Sequence, residues 1–108
     1  MAKTRQVKNM ELLEAIALAE RKFDREVKPN IGSENMAFIA QMEMLNVVDY
    51  LSKYSQLIIG YHNGPTLLAK SRIIRKIYES NEVPDKRDFE EFRASLAQTR
   101  LAIQTNNT

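Results

Sequence analysis

The chain has 108 residues, 44% hydrophobic and 28% charged, with no Cys, no Trp, one His, three Gly and three Pro. That length supports one domain with a single core. The composition excludes a disulfide scaffold, a thiolate zinc site and a thiol nucleophile, and a multi-histidine metal site would need a second copy of the chain.

Sixteen Lys and Arg against fourteen Asp and Glu leave a formal charge of +2. Residues 1–54 are balanced at eight basic and eight acidic, so the excess falls in residues 55–108, with eight basic and six acidic. A surplus of two is too small to draw nucleic acid from a distance. The opening Met1-Ala2-Lys3-Thr4-Arg5-Gln6 is basic, but Glu11, Glu14 and Glu20 interrupt the apolar residues that follow, which is not a signal-peptide pattern. The longest aliphatic run, Leu57-Ile58-Ile59, ends at Gly60, far short of the ~20 residues of a membrane span. The expectation is a soluble cytoplasmic protein with no membrane partner.

Helical periodicity first appears over residues 6–28, where Leu12, Ile16, Ala19, Phe23 and Val27 line one face. Pro29-Asn30-Ile31-Gly32 then breaks the pattern. Ser33 is a good N-cap for a second helix over residues 34–59. Met44, Val47, Val48, Leu51, Tyr54 and Ile58 form one apolar stripe with Ala37 and Ala40. Phe38, Met42 and Leu45 begin another. A helix apolar on more than one side is central to a bundle or part of an oligomer interface, and Phe38, Met42 and Leu45 are the interface candidates. Met-rich faces also serve as adaptable binding surfaces, but ordinary packing explains Met42 and Met44.

Gly60 and Asn63-Gly64-Pro65 precede a third helix over residues 65–80, with Leu67, Ile74, Ile77 and Tyr78 facing inward. Val83-Pro84-Asp85 precedes a fourth over residues 86–103, with Phe89, Phe92, Leu96 and Ile103 inside. A polar tail follows. The predicted fold is all-α: a compact bundle of four helices with a long central second helix and antiparallel neighbours. A break at Asn46 or at Ser52-Lys53 would make five. The domain spans residues 1–108, with flexible ends at 1–5 and 104–108.

The third helix carries Lys70, Arg72, Arg75 and Lys76 with no acid before Glu79. Arg72, Arg75, Lys76 and Glu79 share a face, so three cations project together from it, suited to phosphates or an acidic protein surface, although a solvated helix face has the same pattern. A helix–turn–helix built on the third and fourth helices is disfavoured, because its turn is long and acidic and Asp88, Glu90 and Glu91 open its reading helix. His62 sits in a Gly- and Asn-rich turn with no carboxylate at fixed spacing to orient it. Glu90 and Glu91, being adjacent in a helix, do not face each other. No serine has a nucleophile-elbow context, and three glycines make no phosphate loop. No catalytic residue, metal ligand or cofactor is expected.

Phe23, Val27 and Ser33-Glu34-Asn35-Met36-Ala37-Phe38, followed by Met42-Glu43, resemble the early helices of regulator-of-G-protein-signalling domains. The resemblance covers about residues 12–45, and Ile39 stands where the family usually has Trp. It implies an all-helical domain that accelerates GTP hydrolysis by binding the switch regions of a Gα subunit, with Glu34 and Asn35 as contact residues. The residues read on their own favour a non-enzymatic helical module that binds another protein and self-associates. Nucleic-acid binding through the basic third helix is the alternative, and a GTPase-activating role is the third reading.

Overall fold

The computed structural model describes residues 5–30, 37–80, 82 and 85–106, with side chains from residue 9 to 105 except 31–41, 81, 83 and 84. The first periodic run forms α1 (Arg5–Lys22). It continues through a wider π turn (Phe23–Val27) and one 3-10 turn (Lys28–Asn30). The α ladder cannot pass this point, because Pro29 has no N–H to give to the carbonyl of Arg25. The Lys28 N–H instead reaches the Phe23 carbonyl, and Asn30 Nδ2 donates to the Glu26 carbonyl at 2.6 Å. All five residues of the predicted stripe are buried, so the changed winding keeps Phe23 and Val27 in the core.

The second predicted helix resolves into α2 (Ala37–Ser52) and α3 (Ser55–Ile58), with the break at Ser52-Lys53. Residues 34–36 lie outside the described residues. At the break the bonds tighten from four residues to three: Lys53 and Tyr54 donate to the carbonyls of Tyr50 and Leu51. The Ser52 hydroxyl donates to the Asp49 carbonyl at 2.6 Å, the local competition that makes serine a poor helix interior. The resulting bend lets Met44, Val47, Val48, Leu51 and Ile58 all enter one core. These five residues of the first apolar stripe are thus covered within a single chain, Tyr54 is half-buried, and the side chains of Ala37 and Ala40 lie outside the described residues. The described part of α2 has 16 residues, as many as α4.

Helix α4 (Gly64–Glu79) begins one residue before Pro65, and α5 (Lys86–Asn106) takes in the first three residues of the expected polar tail. Phe89, Phe92, Leu96 and Ile103 are buried as their spacing predicts, with Leu67 and Ile74 of α4 against the same core. Ile77 and Tyr78 are only half-buried. Among the described residues there is no strand. The architecture is an all-α bundle, with five α-helices among the described residues, four of them long, spanning 46 × 24 × 24 Å. Helices α1 and α4 each pack on both α2 and α5, and so stand at opposite corners.

Polar groups join the helices where small or charged side chains meet. Buried Ser71 of α4 and Ser95 and Thr99 of α5 return their hydroxyls to carbonyls of their own helices, at 2.9, 2.7 and 2.8 Å. No buried donor is then left open, and α4 and α5 can approach closely. Between α1 and α5, buried Glu20 receives Arg93 at 2.8 Å and Arg100 at 2.5 Å. Arg93 also forks onto Asp24 through two bonds of 2.8 and 3.0 Å. That bidentate guanidinium holds the Asp24 carboxyl below the usual carboxylate range, and Asp24 in turn raises Arg93. Tyr61 donates to buried Asn9, tying the turn before α4 to the start of α1.

Candidate interaction surface

The four cations of the basic helix separate into two kinds. Residues 70 and 75 leave α4 on its two flanks, toward α5 and α2, whereas residues 72 and 76 lie one turn apart on its outer side. Lys70 meets Glu91 of α5 at 2.7 Å. Glu91 also receives Arg87 Nε at 3.0 Å, and the two cations, Lys70 foremost, hold its carboxyl below the usual range. Arg75 pairs with Asp49 of α2. Arg72 and Lys76 are exposed, and among the described residues neither has an ion-pair partner. Ile73 stands beside them, 44% exposed.

The spacing sets Arg75 on one face with Arg72 and Lys76, whereas the structure turns Arg75 to Asp49 of α2. The division depends on acids 21 and 26 residues away in the chain. Ile73 did have a signal, since it lies off the stripe set by Leu67 and Ile74. The same reasoning marks Leu18 of α1, off the stripe of Leu12, Ile16 and Ala19 and 45% exposed.

One of the three oligomer-interface candidates, Met42, has a polar neighbour inside the chain. Met42 is exposed, and its sulfur accepts the Tyr78 hydroxyl of α4 at 3.4 Å. Leu45 is half-buried. Phe38 lies in α2, but its side chain is outside the described residues, as are Glu34 and Asn35. The candidate Gα contacts are therefore not placed.

A groove of about 990 Å³ is lined by residues of α1, α2, α5 and the turns that follow α1 and α2, among them Glu14, Leu18, Tyr50, Tyr54, Arg93 and Arg100. Its two arginines are committed to Glu20. Tyr50 meets Tyr54 edge-on at 5.7 Å, and burial, then the hydrogen bond between them, pushes the Tyr50 phenol up and away from ionisation. Lys53 lies 5.9 Å from the Tyr50 ring, within cation–π range. His62 is exposed in the turn before α4. Among the described residues no group of three His, Cys, Asp or Glu side chains is placed to hold a metal ion. None of their helices is long and apolar enough to cross a membrane. Comparison with protein-family models, with curated proteins and with solved structures found no match to this chain.

Proposed function

We propose that the chain is a non-enzymatic helical interaction module that binds another protein through the outer face of α4. One observation carries this reading: Arg72 and Lys76 are exposed without an acid partner among the described residues, while Lys70 and Arg75 are paired with acids of the neighbouring helices. A cation already paired within the chain has little charge left to offer, whereas an unpaired one gains a charge-assisted bond on docking. Ile73 supplies an apolar contact beside the two charges. Rigid placement on a packed helix reduces the ordering cost of binding.

Two free cations suit an acidic protein patch better than a nucleic-acid backbone, because sequence-independent phosphate binding gains strength from many neutralised phosphates. The distinguishing experiment is capture from a nuclease-treated extract. Wild-type chain should retain a protein that survives nuclease treatment, and the chain carrying Arg72→Glu with Lys76→Glu should lose at least about tenfold of it, the equivalent of ~1.4 kcal/mol. Retention that disappears with nuclease would assign the face to nucleic acid. Equal retention by the reversed chain would remove α4 from the account.

A further inference from the structure

We infer that the outer face of α1 is a self-complementary surface on which a second copy of this chain docks antiparallel. The row along that face reads Glu14, Leu18, Arg21. Its spacings of four and three keep these residues on one side of the helix, as in a coiled-coil seam. The acid lies before Leu18 and the base after it.

That order is its own complement under a two-fold axis through Leu18. An antiparallel copy sets Glu14 against Arg21 twice and brings the two Leu18 side chains together. A parallel copy in register would put acid on acid and base on base. Charge therefore fixes the orientation as well as the partner. Two-fold contacts of this kind close at a dimer.

The rest of α1 shows why this row is available. Its flanking charges are paired with the neighbouring helices, Glu20 by arginines of α5 and Lys22 by Glu43 of α2. Glu14 and Arg21 are exposed and have no ion-pair partner among the described residues. Leu18 is 45% exposed between them. Because α1 and α4 stand at opposite corners, this contact leaves the outer face of α4 free, and it stands whether or not that face binds a protein.

A seam of one helix per copy lies at the small end of interfaces. The dimer is expected at micromolar or higher concentration, and weaker as salt is raised. Sedimentation velocity over a concentration series reads it. Leu18→Glu, which sets two carboxylates together on the axis, should weaken dimerisation at least about tenfold, and so should Arg21→Glu alone. Adding Glu14→Arg to Arg21→Glu restores opposite charges across the axis and should return the wild-type profile. All these positions are exposed, so helical circular dichroism should not change.

Since the chain has no native Cys, orientation can be read by oxidation. The Leu18→Cys chain should cross-link to itself. Glu14→Cys and Arg21→Cys chains should cross-link when mixed and not when alone. A chain that stays monomeric throughout, a charge-swapped chain no better than Arg21→Glu, or a Glu14→Cys chain that cross-links to itself would each overturn the inference.

Discussion

Replacing Gly64 with Ala is expected to lower the stability of the bundle by about 3 kcal/mol, at the upper end of what overpacking usually costs. An ideal Cβ at Gly64 would stand 1.8 Å from the Ile58 carbonyl oxygen and 2.8 Å from its carbon. Both are backbone atoms, so no side chain can swing away to make room. Ile58 cannot retreat either, because its own side chain is fully buried in the core. The preceding Asn63 is the one described non-glycine residue with positive φ, at 68°, a region Asn tolerates and Gly enters freely. Asn63→Gly should therefore stay within about 1 kcal/mol of wild type, while Gly64→Ala moves the urea midpoint sharply. An unchanged midpoint for Gly64→Ala would mean that the chain enters α4 by another route.

Phe92→Ala is expected to remove about 3–5 kcal/mol, a large share of the 5–15 kcal/mol that holds a domain of this size together. Phe92 is fully buried, and its ring stacks on Phe23 with centroids 6.4 Å apart and planes inclined by 30°. Phe23 opens the π turn, so the loss should be local as well as global. Amides of residues 23–27 should exchange faster in the variant than those of α4. Phe92→Leu keeps most of the volume and should cost about 1.5 kcal/mol or less if the neighbours repack. Urea denaturation checks both, and a Phe92→Ala loss below about 1 kcal/mol would contradict the placement of this ring at the centre of the core.

The core was legible because burial repeats with the helical period. Leu12, Ile16, Phe23 and Val27 on α1, and Phe89, Phe92, Leu96 and Ile103 on α5, lie inside as their spacing implies. The winding of residues 23–27 was not legible, since a four-residue separation of Phe23 and Val27 suits an α turn and a wider π turn alike. The end of α2 was legible only as one of two breaks. The structure places it at Ser52-Lys53, where Lys53 and Tyr54 bond three residues back and the Ser52 hydroxyl donates to the Asp49 carbonyl.

Surface chemistry is harder to read, because pairing is a tertiary property. Lys70 and Arg72 look alike in the sequence, yet Lys70 lies against Glu91 on α5 and Arg72 faces outward. Glu20 and Glu14 differ in the same way, one held buried between Arg93 and Arg100 and the other exposed. Position around the helix predicts burial in each case. It does not say which acid of another helix will come opposite.

On this account the charges of α4 have two separate tasks, Lys70 and Arg75 joining α4 to its neighbours and Arg72 with Lys76 meeting a partner. The direct test is capture of the same nuclease-resistant protein by two paired variants, Arg72→Ala with Lys76→Ala and Lys70→Ala with Arg75→Ala. The account predicts that the first pair loses capture by about tenfold or more and that the second, whose surface ion pairs contribute about 1 kcal/mol or less each to stability, retains it. Loss of capture by the second pair with retention by the first would contradict it.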